Sequence, residues 1–200
     1  MPLLDTEVSV AKRMFNVNVF ALMTVTQAFM PLLIESKGSV INIGSIAGKA
    51  PMPWQGYYNA SKAAVNHLSD QLRLELSPFG VKVIHVVTGA IRSHFFDNLP
   101  ITKLPVNSIY NPGREEIEQV LNGNFVRPNA TDVDVYARGV VKNALKTKPN
   151  VNYWIGDSSF VIWFLSTFLW HTIWVSQFIR IGQNFANAML GYIFYSVNPI

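Results

Sequence analysis

Tyr58 and Lys62 stand four residues apart, a spacing that brings both side chains to one face of a helix. A phenol with an ordinary pKa of about 10 is a poor acid or base near neutrality, and a neighbouring ammonium favours its phenolate and so draws that pKa down. The pair therefore suits proton exchange with a substrate oxygen. Of the neighbouring Tyr57 and Tyr58, only Tyr58 has lysine four residues on. Two further polar residues precede the pair: Ser45 by thirteen positions and Asn18 by forty, counted to Tyr58. Singly, each of the four has an ordinary alternative, as a helix kink at Asn18, a turn hydroxyl at Ser45, a core-edge phenol at Tyr58 and a solvated stem at Lys62.

The elements that must position these groups are legible from periodicity. Apolar side chains at Val10, Met14, Val17, Ala21, Val25 and Ala28 predict one long helix over about residues 8–35, broken near Asn18 and capped by Asp5 or Thr6. The β-branched run Ser39-Val40-Ile41-Asn42-Ile43-Gly44 is short and apolar enough for a buried parallel strand, and it delivers Ser45. A loop with Pro51, Pro53 and Gly56 leads into a second helix over about 57–77, with Ala63, Ala64, Leu68, Leu72 and Leu76 predicted on one face. Gly80 stops it, and residues 81–87 form another strand. Beyond Gly89 a long proline-bearing segment runs to about Asn129, enclosing a short helix over 114–121; segments of this kind are often functional covers. Thr131 or Asp132 caps a further helix to about Lys146, and residues 151–155 are a third strand. The expected class is α/β.

Taken together, the motifs Asn42-Ile43-Gly44-Ser45-Ile46-Ala47-Gly48, Tyr58-Asn59-Ala60-Ser61-Lys62-Ala63-Ala64 and Asn16-Val17-Asn18-Val19-Phe20 resemble the short-chain dehydrogenase/reductase family in type, order and spacing. The resemblance implies the C-terminal part of a Rossmann-like doubly wound parallel sheet, about three strands with long helices. It implies a carbonyl reductase in which Tyr58 gives a proton to the substrate oxygen as hydride arrives and Ser45 holds that oxygen. Lys62 would lower the Tyr58 pKa and bind the nicotinamide ribose, and Asn18 would hold a water linking Lys62 to solvent. In that family the second of these strands is followed by Pro-Gly, a β-branched residue and a threonine. This chain has Thr88-Gly89-Ala90-Ile91-Arg92-Ser93, so Gly89, Ile91 and Ser93 become cofactor contacts by resemblance, while Thr88 in place of proline points to a subgroup. That subgroup resembles fungal NADPH-dependent 1-acyldihydroxyacetone-phosphate reductases. It implies NADP as cofactor with NAD open, a lipid-like ketone or alcohol as substrate, and an endoplasmic reticulum or lipid-droplet surface. Related sequences act on polyketide and other secondary-metabolite ketones, and a homodimer is a family expectation.

Composition narrows the rest. With no cysteine, disulfides, thiolate metal sites and a cysteine nucleophile are excluded, and no metal is expected. The net charge of +4 comes from scattered Lys and Arg without a basic run, which argues against nucleic acid. Residues 1–6 do not read as a secretory signal, so an intracellular location is expected. The division expected is a partial catalytic domain over 1–157 and an apolar helical tail over 158–200. From Ser158 to Ile179 there is no formal charge, and Trp163, Trp170 and Trp174 suit an interfacial segment, a span or a packing helix. The glycine-rich turn that meets the pyrophosphate in the family is not found in these residues. The expectation is therefore an N-terminally truncated catalytic half, lacking roughly 80 to 90 residues of the usual dinucleotide fold, with an apolar sheet edge left uncovered. A noncatalytic membrane-associated fragment that keeps the motifs by inheritance is the competing expectation.

Overall fold

The computed structural model describes residues 1–94, 101–123, 129–168 and Ser176. After a short 3-10 turn, helix α1 (Val8–Phe15) passes through a π-helical turn (Asn16–Phe20) into α2 (Ala21–Ser36). Strand β1 (Ser39–Ile43), α3 (Gly56–Leu76) and β2 (Lys82–Thr88) follow. Next come a two-residue strand β3 (Ile91–Arg92), α4 (Arg114–Leu121), a second short strand β4 (Thr131–Asp132), α5 (Val133–Ala144), β5 (Asn152–Ile155) and α6 (Ser159–Phe168). The order β1-β2-β5 is a parallel sheet, with Ile41 opposite Ile84 and Val87 opposite Trp154. β3 and β4 pair as a separate parallel couple, which the sequence reading did not anticipate because each strand is only two residues long.

β2 is the central strand, and its near-continuous apolar run explains why: Val83, Ile84, Val86 and Val87 are all fully buried, as a parallel strand covered on both faces requires. Val40, Leu72, Leu76, Val81 and Val83 form one packed cluster, against which Met23, Met30 and Leu33 of α2 close. A second cluster joins Ile46, Ala50, Val87 and Ile162, with Met52 and Trp154 against it. Ile162 ties the first turns of α6 to the sheet, so residues 159–168 of the expected tail are a helix packed on the domain. The rest of that tail, Ser176 aside, lies outside the described residues.

Two expected helix faces are corrected. On α3 the buried residues are Ser61, Val65, Ser69, Leu72 and Leu76, whereas Ala63 is exposed. Serines fill this face because the helix runs very close to the sheet and loop: Asn42 donates to Ser69 Oγ at 2.9 Å, and a Cβ on Gly48 would lie 2.6 Å from the Lys62 backbone. On the first long helix the buried residues are Ala11, Val19 and Thr26, while Val17 and Val25 of the predicted stripe are exposed. The π turn shifts the phase between α1 and α2, and α2 is apolar around most of its circumference, so periodicity does not select its inward face. The stretch Val8–Ser36 is long and apolar enough to cross a membrane by length and composition, its most apolar 18-residue window having a mean hydropathy of 1.8. Neither Asp5 nor Thr6 caps α1; the cap position is Glu7, without a side-chain bond. Asp132 does cap α5, accepting from the amides of Asp134 and Val135.

Among the described residues after β3, 101–123 are knit together by side chains, with Arg114 making the most bonds. Arg114 donates to the carbonyls of Leu104 at 2.8 Å and Pro105 at 2.7 Å, and pairs with Glu118 at 2.7 Å. Ser108 donates to Asp5 Oδ2 at 2.6 Å, fastening this cover to the start of the chain.

Candidate active site

Ser45 stands two residues after the end of β1, Gly89 follows β2 and Gly156 follows β5, so all three lie where the parallel strands end. That edge is where open α/β sheets place their ligands. Ser45 is extended, with φ −154° and ψ 153°, and caps the 3-10 turn Ile46–Gly48 by accepting from Ala47 N at 3.1 Å. The buried Ile46 and Ala47 anchor the turn and leave the half-buried Ser45 hydroxyl free to donate.

Tyr58 and Lys62 occupy the first two turns of α3, as expected. Lys62 Nζ lies 5.9 Å from the Tyr58 ring centroid and donates to the Ile43 carbonyl at 3.2 Å. The ammonium thus bridges α3 to the end of β1, immediately before Ser45. Burial pushes the Tyr58 phenol above its ordinary value of 10.0, and a hydrogen bond with the Ser45 side chain offsets part of that rise. Burial likewise lowers Lys62 from 10.5. The sequence reading has Lys62 drawing the phenol down; in this structure loss of hydration dominates both groups, raising Tyr58 and lowering Lys62.

Asn18 sits in the π-helical turn, a feature frequent at functional sites. Its Nδ2 donates to Ser61 Oγ at 3.1 Å, and Ser61 in turn donates to the Tyr58 carbonyl at 2.8 Å. Ser61, fully buried, is therefore a link that the sequence reading missed. It lies within the quoted motif, yet a serine on a helix ordinarily reads as solvent-facing. Asn18, Ser61 and the Tyr58 backbone carbonyl form a continuous chain, while Ser45 and Lys62 face the Tyr58 side chain.

Beyond β2 the turn is held by backbone. Gly89 N donates to Ile155 O at 2.8 Å, and Ala90 and Asp157 exchange bonds at 2.9 and 3.1 Å. Gly89 is required here because a Cβ would collide with the Asp157 carbonyl and Gly156, so its close approach is to the chain itself. Ile91 is half-buried in the β3–β4 pairing, and Ser93 is exposed. Thr88 Oγ1 and Tyr136 Oη share a hydrogen bond at 2.9 Å, a contact invisible in the sequence because the two are separated by 48 positions. Among the described residues no cluster of three or more His, Asp or Glu side chains has the arrangement of a metal site.

Comparison with known proteins agrees with this geometry. Residues 1–103 match the family model described as short chain dehydrogenase. The chain is 39% identical over 180 residues to the short-chain dehydrogenase fogD of Aspergillus ruber, covering 90% of this chain and 62% of that protein. It is 41% identical over 180 residues to the short-chain dehydrogenase virD of Hypocrea virens, with the same coverage of 90% and 62%. The chain thus spans a little under two thirds of the length of these relatives. In fold it is similar to a short-chain dehydrogenase from Streptomyces avermitilis, with TM-score 0.68, 23% identity, and coverage of 96% of this chain and 66% of that one. A serine dehydrogenase solved with NADP+ aligns with TM-score 0.61, 22% identity, and coverage of 79% and 60%.

Proposed function

This chain belongs to the short-chain dehydrogenase family, and from that premise we propose that its site reduces a ketone on a lipid-like or secondary-metabolite substrate, with NADPH as donor. The observation that carries this reading is the convergence of Tyr58, Ser45 and Lys62 where the parallel strands end, with the Ser45 side chain near enough to offset part of the rise that burial imposes on the phenol and the ammonium above its ring.

The donor set fits the nicotinamide-ribose end of such a cofactor: a half-buried ammonium with protons to spare beside its bond to Ile43, and hydroxyls at Tyr58, Ser45 and Ser93. Bound there, the reduced nicotinamide supplies a hydride to the carbonyl carbon. Ser45 donates to the carbonyl oxygen and polarises it. Tyr58, kept protonated by its buried setting, transfers its phenolic proton to the alkoxide that develops. Lys62 binds ribose hydroxyls and stabilises the phenolate left behind. Asn18 acts through Ser61, holding the first turn of α3 and with it Tyr58, and its position in the π turn suits a water that returns a proton to Lys62. Gly89 and Ile91 set the backbone that faces the carboxamide.

NADP rather than NAD and the lipid-like substrate rest on the resemblance of the stretch around Thr88-Gly89 to fungal acyldihydroxyacetone-phosphate reductases, as does an endoplasmic reticulum or lipid-droplet surface, which the absence of formal charge over residues 158–179 suits; a homodimer rests on the family resemblance alone. A secondary-metabolite ketone is the alternative substrate class, and it rests on the same family resemblance. Oxidation of NADPH and NADH is measured with a long-chain acyl ketone and with an aromatic polyketide-like ketone, for the full chain and Tyr58→Phe. The expected result is a loss of at least a hundredfold in the variant. Equal rates in both would overturn the reading.

A noncatalytic, membrane-associated chain is the second reading. It is favoured by the exposed apolar side chains of the π turn, α2 and α6, among them Phe20, Phe29, Leu32, Phe160 and Phe168.

A further inference from the structure

We infer that Tyr136 is a positioning residue for the reduction proposed above, latching through Thr88 the turn that presents Gly89 and Ile91 to the cofactor. The inference rests on that reading of the site for its catalytic consequence, but its structural half stands alone.

Thr88 is the last residue of β2 and stands where the resembling family has proline. Proline would restrict the backbone at that point through its ring. Threonine brings no such restriction, and the chain that follows must nevertheless leave the sheet in one direction. What fixes it is the 2.9 Å bond from Thr88 Oγ1 to Tyr136 Oη, made across from the first turn of α5. Tyr136 is half-buried, and burial raises its phenol above the ordinary value, so it stays a neutral hydroxyl through the working pH range. The same structural unit contributes a second hold, because Thr131 at the start of β4 donates to the Ala90 carbonyl at 3.1 Å. α5 and β4 therefore grip the turn at its first and third residues. The Gly89 and Ala90 amides, bonded to Ile155 and Asp157, complete the hold from the β5 side. Of these restraints only the Thr88–Tyr136 bond depends on side chains, so it is the one that substitution can remove without touching the backbone.

The test uses the full chain. Tyr136→Phe and Thr88→Val each delete one hydroxyl at nearly constant shape, and Thr88→Ser keeps it. Amide hydrogen exchange is followed at Gly89, Ala90 and Ile91, with Val83 to Val87 as internal reference. Loss of one such bond is expected to speed exchange of the turn about fivefold while the reference strand is unchanged. The double variant Thr88→Val/Tyr136→Phe should be no faster than either single one, and Thr88→Ser should match the parent. Unchanged exchange at the turn in Tyr136→Phe overturns the latch. In steady-state NADPH oxidation, kcat/KM for the nicotinamide should fall about fivefold with the ketone KM unmoved. If exchange quickens but kcat/KM holds, the catalytic role of Tyr136 is overturned. If Tyr58→Phe also leaves oxidation untouched, it is the reading of the site that fails, and the latch remains as measured by exchange.

Discussion

Gly44, the residue before Ser45, lies flat against the imidazole of His85: a Cβ added to Gly44 would overlap His85 Nε2, with Cδ2 only 2.8 Å away. Gly44, just past the end of β1, stays alongside β2, since its N donates to Val86 O at 2.8 Å. A fully buried ring thus sets how Gly44 leaves the sheet, and with it the direction from which Ser45 approaches Tyr58.

Gly44→Ala is therefore expected to destabilise the chain by about 3 kcal/mol, the upper range for forcing extra atoms into a packed core. His85→Ala opens the space and should make Gly44→Ala nearly neutral, giving a coupling of about 2 kcal/mol in a double-mutant cycle. Urea midpoints of the four chains check this. Additive losses would mean that the two residues do not meet.

His85 also makes stability depend on pH. Neither ring nitrogen has a hydrogen bond among the described residues, and burial first, then Lys49 and Arg73, lower its pKa from 6.5 to about 4 against the pull of Asp70 and, most weakly, Asn152 on β5. Because the folded value is the lower one, the unfolded chain takes up the proton first as pH falls. Stability from this residue is complete above pH 6.5 and is lost between 6.5 and about 4, amounting to roughly 3 kcal/mol. His85→Val lacks that loss. Urea midpoints from neutral pH down to this window should fall more steeply in the parent than in the variant, and parallel curves would refute it.

The Tyr58 phenol, held above 10.0 by burial, should ionise only in strongly alkaline solution in the free chain. The difference in ultraviolet phenolate absorbance between the parent and Tyr58→Phe isolates this group. A transition below 10.0 would show that the Lys62 ammonium outweighs burial, as the bare four-residue spacing suggests.

Residues 169–200 are predicted to carry any membrane attachment that α6 begins. A stop after Phe168 keeps Ile162 in its cluster with Ile46 and Val87, so the domain core is preserved. Carbonate-resistant membrane association in cells should drop severalfold on that truncation. If the two chains partition alike, attachment lies elsewhere, and the exposed apolar side chains of α2 become the place to look.

Much of this arrangement was legible before any coordinates. The strand around Val40 and the strand around Ile84 read clearly because buried parallel strands are uninterrupted apolar runs between glycines, and α4 matches its predicted bounds because Pro112-Gly113 before it and Gly123 after it interrupt the helical pattern. Ser45, Tyr58 and Lys62 came together because their spacing is a property of one strand end and one helix. What escaped depended on contacts distant in sequence. Ser61 and Ser69 are polar by type yet buried, since a small hydroxyl can satisfy itself on a carbonyl four residues back, as Ser69 does on Val65 at 2.7 Å. The inward face of α2 could not be chosen from a helix apolar nearly all round. Tyr136 had no signal at all, because its partner lies on another element.

The π-helical turn at Asn16–Phe20 makes the length of the first helix indivisible. Such a turn holds one residue more than the α-helix around it, which rotates everything downstream by about 100°. Removing any single residue between Asn16 and Phe20 would leave a smoother and intrinsically better helix. It would also swing the Asn18 amide off Ser61 and turn the Met23, Met30 and Leu33 side of α2 away from the sheet. A deletion here therefore costs more than the side chain it removes, so an irregularity of backbone geometry works as a counting device for the chain.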